Sequence, residues 1–252
     1  SQLISSRTGL ALVDLHKMHE GMLDASIMVA YLPQGERDEA SLERANRNAH
    51  HILDQIEGMV ADNADALEIA RTPEDLYALK GQGKKAIMTG VENGYAVGKD
   101  INNVKKFRDR GVVYMTLCHN GDNDICDSAR GNTEHNGVSQ FGEQVIREMN
   151  RVGMMVDLSH ASEKSFFDAL EISATPIVCS HSSSKALCNH PRNLTDGQLL
   201  ALARKGGVAQ VTLYEGFLRA DGKASILDAV EHIRHMARVM GIEHVGIGTD
   251  FD

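Results

Sequence analysis

Short runs of apolar residues alternate along the chain with longer stretches whose apolar positions recur at helical spacing. That alternation predicts a parallel sheet covered by helices. Seven runs read as strands, over 25–32, 86–89, 112–117, 154–158, 176–179, 208–213 and 244–248. Pro33 stops the first. A long helical region is predicted over 39–70, with Ile52, Ile56, Met59 and Val60 on one face. Further helices are predicted over 100–110, 140–151, 163–170 and 225–240, and one starts near Thr195–Asp196 with a plausible N-cap. No linker or low-complexity stretch interrupts the series, so residues 1–252 are expected to form one domain. Two architectures suit the pattern, an open doubly wound sheet and a closed eight-strand barrel.

The residues that follow the strands favour the barrel. Glu92 comes after 86–89, His119 after 112–117, His160 after 154–158 and His181 after 176–179. Tyr214 and Glu215 come after 208–213, and Asp250 after 244–248. In a parallel barrel all of these fall at the C-terminal mouth, where the loops build the site. Two or three His with a Glu and an Asp form the ligand set of a hydrolytic zinc centre, in which a carboxylate can serve two metals and neutral imidazoles complete the coordination. His50, His51, His232 and His235 fall on predicted helices and read as solvated or packing groups, while His16 and His19 lie in a polar stretch ahead of the first strand.

Composition narrows the partners. With 252 residues, 42% hydrophobic and 24% charged, the chain is long enough to bury a sizeable core. A net charge of -9 without a basic block argues against nucleic acid. No run approaches the length of a membrane span. Cys118, Cys126, Cys179 and Cys188 are too few and too irregular for a disulfide framework and contain no CxxC pair, so they read as buried thiols.

Several segments, in this order, resemble the membrane (renal) dipeptidase family of zinc metallopeptidases, peptidase family M19. They are Gly90-Val91-Glu92-Asn93-Gly94, Tyr114 to Asn120, Val156-Asp157-Leu158-Ser159-His160, Ser180-His181-Ser182-Ser183, Pro191-Arg192-Asn193 and His244 to Asp252. Asp14 to Met18 and Tyr31-Leu32-Pro33 are similar to the family's second-strand region. The resemblance implies a (β/α)8 TIM-type barrel and hydrolysis of dipeptides, including those with a C-terminal D-residue, by metal-activated hydroxide. It implies Glu92 as the carboxylate bridging two zinc ions, and His160 and His181 as ligands of the second. His119 is implied as the oxyanion donor and substrate contact. Arg192 would bind the substrate's terminal carboxylate, Tyr214 would sit in the same pocket, and Asp250 would be the acid/base catalyst. A homodimer is also implied.

The sequence departs from the family in one respect: the His-x-Asp pair of the family's first strand, which completes the first zinc site, has no counterpart. The expectation is therefore a barrel lacking its first strand and C-terminal helix, incomplete at both ends. Two other functions stay open: a different amidohydrolase-type metal-dependent deacylase on the same barrel, and a non-catalytic barrel retaining one zinc. A soluble protein is expected, with a cytoplasmic location favoured and export left open by the missing start.

Overall fold

The computed structural model describes residues 2–5 and 11–251. Its helices are α1 (Gln2–Ser5), α2 (Leu15–Glu20), α3 (Glu39–Asp62), α4 (Pro73–Gly81), α5 (Asn102–Asp109), α6 (Gln140–Val152), α7 (Glu163–Ile172), α8 (Asp196–Arg204), α9 (Glu215–Leu218) and α10 (Ile226–Met240). Its strands are β1 (Ala25–Tyr31), β2 (Leu67–Ile69), β3 (Lys85–Glu92), β4 (Val112–Thr116), β5 (Met155–Asp157), β6 (Val178–Cys179), β7 (Val208–Val211) and β8 (Val245–Ile247).

Every strand pair is parallel, and the order β1-β3-β4-β5-β6-β7-β8 follows the chain. A sequential parallel order never reverses, so the doubly wound alternative is excluded and the sheet curls as in a TIM-type barrel. Among the described residues β1 and β8 form its two edges.

The seven predicted strands all form, six of them somewhat shorter and the run 86–89 extended to Lys85–Glu92. The region 39–70 is the main correction. Its helix ends at Asp62, where Asn63 caps it and donates its N–H to the Val60 carbonyl. The remaining residues become β2, which pairs with β3 through Leu67↔Lys85 and Ile69↔Ile87. Because β1 runs along the full length of β3, β2 and β4 take successive parts of the opposite edge, with a register shift between Thr89 and Gly90. α4 is an addition, started by Pro73 and by a capping box between Thr72 and Asp75. His16 and His19, in the polar stretch ahead of β1, lie on α2.

Amphipathic helices cover the outside of the sheet. Leu42, Ala45, Ala49, Leu53, Ile56 and Val60 make the buried face of α3. Val145, Ile146 and Met149 do the same for α6, Phe166 and Ala169 for α7, and Leu199 and Leu202 for α8. Apart from Ile56 and Val60, which pack with Leu67 and Ile87 in a smaller cluster, these side chains join Met115, Leu117, Val156, Leu158, Ala209 and Val211 of the strands and strand ends in one continuous core. Burying each large aliphatic side chain contributes about 1.5–3 kcal/mol before conformational entropy is counted. Close approach is required at Gly90, where a Cβ would stand 1.9 Å from Tyr114 Cε1. The four cysteines are buried and free, as expected.

Candidate metal centre

Glu92 is the last residue of β3, His160 lies three residues beyond β5, and His181 two residues beyond β6. Parallel strands put these positions at one end of the sheet. Glu92 Oε2 lies 3.4 Å from His160 Nε2 and 3.2 Å from His181 Nε2, and the two Nε2 atoms are 3.0 Å apart. All three residues are buried, at 7–8% exposure. Four donors around a tetrahedral ion stand about 3.3 Å apart, about 1.63 times a metal–ligand distance of about 2.05 Å. The three observed edges fit that figure, and a carboxylate with two imidazoles is a donor set for zinc. Among the described residues, this is the group of three or more His, Cys, Asp or Glu side chains able to hold a metal ion.

The electrostatics keep these donors in the states a metal needs. Burial pushes the Glu92 carboxyl upward, but its contacts with the His160 and His181 rings outweigh it and hold the group well below the usual carboxylate range. Burial also pushes His160 far below the ordinary imidazole value, against the opposing pull of Glu92, so the ring is neutral near pH 7. Its Nδ1 lies 3.3 Å from Asn120 Oδ1, which can accept a proton there and leave Nε2 free.

Backbone conformation at the strand ends is unusual. Six non-glycine residues among those described have positive φ, and three of them are Asn93 (98°), His160 (72°) and Asp250 (62°). Such conformations cluster where surrounding contacts over-determine them. At His160 those contacts include the Ala129 N–H, which donates to its carbonyl at 2.7 Å.

Of the other expected site residues, His119 and Arg192 touch His160 and His181 directly, while Tyr214 and Asp250 connect to them through Phe217 and Arg192. The His119 ring packs on that of His160 at 4.2 Å and on that of Tyr31 at 4.7 Å. Burial lowers its pKa, with Glu92 opposing. Arg192 is buried at 3% exposure; its Nη2 donates to the His181 carbonyl at 3.0 Å, while its Nε has no hydrogen-bond partner. Its guanidinium sits over the Phe217 ring, 5.3 Å from the centroid. Tyr214 is exposed and packs on the same Phe217 ring at 4.8 Å. Asp250 is exposed and near enough to act electrostatically on Arg192.

Sequence reasoning missed four residues here. Tyr31 covers His119 from β1, and Phe217 joins Arg192, Tyr214 and His190. Asp157 and Ser180 lie inside the quoted motifs beside the ligands, and the polar character of Asp157 at the end of an apolar strand was their available signal. Three of the histidines expected on helices make packing or polar contacts there. His232 is buried between Ser184 N–H and the Leu218 carbonyl, His50 stacks on Phe107, and His235 pairs with Asp196.

A curled parallel sheet under a helical coat, with a carboxylate and two imidazoles converging at its strand ends, is a TIM-type barrel carrying a candidate metal centre. The chain belongs to the membrane dipeptidase family, peptidase family M19, whose model matches residues 4–252. An uncharacterized dipeptidase of Schizosaccharomyces pombe is 41% identical over 195 residues, covering 75% of this chain and 47% of the relative. Dipeptidase tcpJ of Claviceps purpurea is 34% identical over 246 residues, covering 95% of this chain and 58% of the relative. The chain thus spans about half the length of these curated relatives. Among solved structures, the probable dipeptidase PvdM from Pseudomonas aeruginosa superposes with a TM-score of 0.90 at 25% identity. That match covers 98% of this chain and 78% of the other.

Proposed function

We propose that this protein is a zinc-dependent dipeptidase whose reaction centre is built on Glu92, His160 and His181. The carrying observation is the mutual spacing of 3.0–3.4 Å between their three donor atoms, in a buried pocket beside an arginine with an unpartnered Nε. A zinc ion held there would supply Lewis acidity and an activated water. One such donor group is present among the described residues, and the resemblance calls for two ions in the complete enzyme.

The chain's own residues supply the rest. Arg192 would pair with the free carboxylate of a dipeptide, whose charge would offset the cost of burying the guanidinium. Tyr214 and Phe217 form the wall of that pocket. His119 is kept neutral by burial and can donate one ring N–H to the oxygen on which negative charge develops. Asp250, at the end of β8, takes the proton from the attacking water and passes it to the leaving amine. A carboxylate-binding arginine selects the bond before the C-terminal residue, and the family resemblance supplies the dipeptide length and the tolerance of either hand at that residue. The described elements act as one barrel domain, and the working assembly is a homodimer. No helix among the described residues is long and apolar enough to cross a membrane.

The direct test is hydrolysis of a dipeptide, its D-terminal counterpart, the matching tripeptide and an N-acyl amino acid in the presence of zinc. Cleavage of both dipeptides with little turnover of the others supports the assignment. Preference for the N-acyl amino acid would favour a deacylase, and no turnover of any would point to a binding role.

A further inference from the structure

Asp157 is completely buried at the end of β5, yet no assigned role uses it. Both of its oxygens are fully engaged. Oδ1 accepts from the backbone N–H groups of Ser159 at 3.1 Å and Ser180 at 2.9 Å. Oδ2 accepts from the hydroxyls of Thr116 at 2.6 Å and Ser180 at 2.5 Å. The Ser180 hydroxyl also lies 2.8 Å from His181 Nδ1.

We propose that Asp157 and Ser180 form a positioning relay that fixes His181 as its Nδ1–H tautomer and aims the Nε2 lone pair at the metal position. The reasoning rests on proton direction. A hydroxyl has one proton to donate, and Ser180 directs it to the Asp157 carboxylate, an acceptor-only group. Ser180 Oγ can then meet His181 Nδ1 only as an acceptor, so Nδ1 carries the ring proton. A neutral imidazole has one such proton, which leaves Nε2 bare toward Glu92 Oε2 at 3.2 Å. The backbone of His181 is held as well, its N–H donating to Ser159 Oγ at 2.9 Å and its carbonyl accepting from Arg192 Nη2. Outer partners of this kind orient a ligand and raise its basicity.

This inference rests on the metal-centre reading, and it makes an isosteric prediction. In Asp157→Asn the two backbone N–H groups still require an acceptor at the Oδ1 position, so the amide NH₂ must occupy the Oδ2 position. There it donates to the Ser180 hydroxyl, whose own proton turns toward His181 Nδ1. The ring proton moves to Nε2 and faces the metal position, the wrong tautomer for a ligand.

The experiment compares the parent with Asp157→Asn, Ser180→Ala and Thr116→Val. Thr116→Val removes a hydroxyl from the same Oδ2 without touching His181. Long-range ¹H–¹⁵N spectra of metal-free protein at about pH 8, above the ordinary imidazole pKa, locate the ring proton. The His181 signals are assigned by their loss in His181→Asn. Zinc affinity is measured in parallel by chelator competition. The relay requires Nδ1–H in the parent and in Thr116→Val, and Nε2–H in Asp157→Asn. It also requires zinc binding about 10–100-fold weaker in Asp157→Asn and Ser180→Ala, with Thr116→Val matching the parent. A ring proton that stays on Nδ1 in Asp157→Asn overturns it. So does an affinity in Thr116→Val that falls as far as in Asp157→Asn, because the effect would then be one of packing. If Asp157→Asn does not fold, Ser180→Ala decides: affinity equal to the parent overturns the relay. If the parent itself binds no zinc, the metal-centre reading fails, while the ring proton still decides the relay.

Discussion

His160 and His181 point their Nε2 atoms at each other across 3.0 Å, with Glu92 Oε2 within 3.4 Å of each. Lone pairs brought this close repel unless a proton or a cation lies among them. Burial opposes a second proton on His160, and the one it keeps can sit on Nδ1 facing Asn120 Oδ1, so the arrangement suits a cation. Glu92→Gln keeps the shape and removes the negative charge. Zinc affinity is expected to fall about 100-fold or more, exceeding the about 10–100-fold that an outer partner costs. Chelator competition measures it, and an unchanged affinity would remove Glu92 from the ligand set.

Arg192 offers a second handle. Arg192→Lys retains the charge and loses the planar fork that matches a carboxylate. Charge-assisted hydrogen bonds are worth about 1.5–3 kcal/mol, so KM for a dipeptide is expected to rise about 10–100-fold. kcat is expected to change less, and a dipeptide amide, which lacks the carboxylate, should show a much smaller change in KM. Steady-state kinetics on the two substrates checks this; equal losses on both would remove the carboxylate contact.

His232 predicts a pH dependence of stability that is independent of the site. Its Nδ1 accepts from Ser184 N–H at 3.1 Å and its Nε2 donates to the Leu218 carbonyl at 3.0 Å. Burial lowers its pKa below the ordinary 6.5. The unfolded chain therefore takes up a proton first as pH falls through about 6.5, and stability declines until the folded pKa is reached. The slope is up to about 1.4 kcal/mol per pH unit for this histidine. His232→Gln keeps the bond to Leu218 and is expected to flatten the decline between about pH 7 and pH 5. Urea melts of metal-free protein at several pH values test it; an unaltered slope would contradict the assignment.

Gly248 couples packing to the site. A Cβ here would lie 1.7 Å from the Ser180 carbonyl oxygen, so β8 and the end of β6 touch backbone to backbone. Gly248→Ala is expected to cost about 1–3 kcal/mol of stability through overpacking. It should also weaken zinc binding, because Ser180 and His181 must shift together. Thermal melts with and without zinc separate the two effects. A variant as stable as the parent would show that the contact is soft.

The strand–helix alternation and the three candidate ligands were readable because each follows an apolar run whose period survives in isolation. β2 was not, because Leu67–Ile69 is three residues long and directly follows a 24-residue helix. The start of α4 was legible in Thr72-Pro73-Glu74-Asp75, a capping box with Pro at the first turn, and was overlooked. Tyr31 and Phe217 join the site through packing across distant strands, which local periodicity does not encode. The relay of Asp157 and Ser180 depends on which atom faces which, and only a folded arrangement supplies that.

Zinc per chain, measured by elemental analysis after removal of loosely held metal, tests the central claim most directly. The parent is expected to retain at least one ion, and the double variant His160→Asn, His181→Asn to retain none while remaining folded by circular dichroism. A parent without zinc, or a folded double variant that keeps it, would contradict a metal centre built on Glu92, His160 and His181.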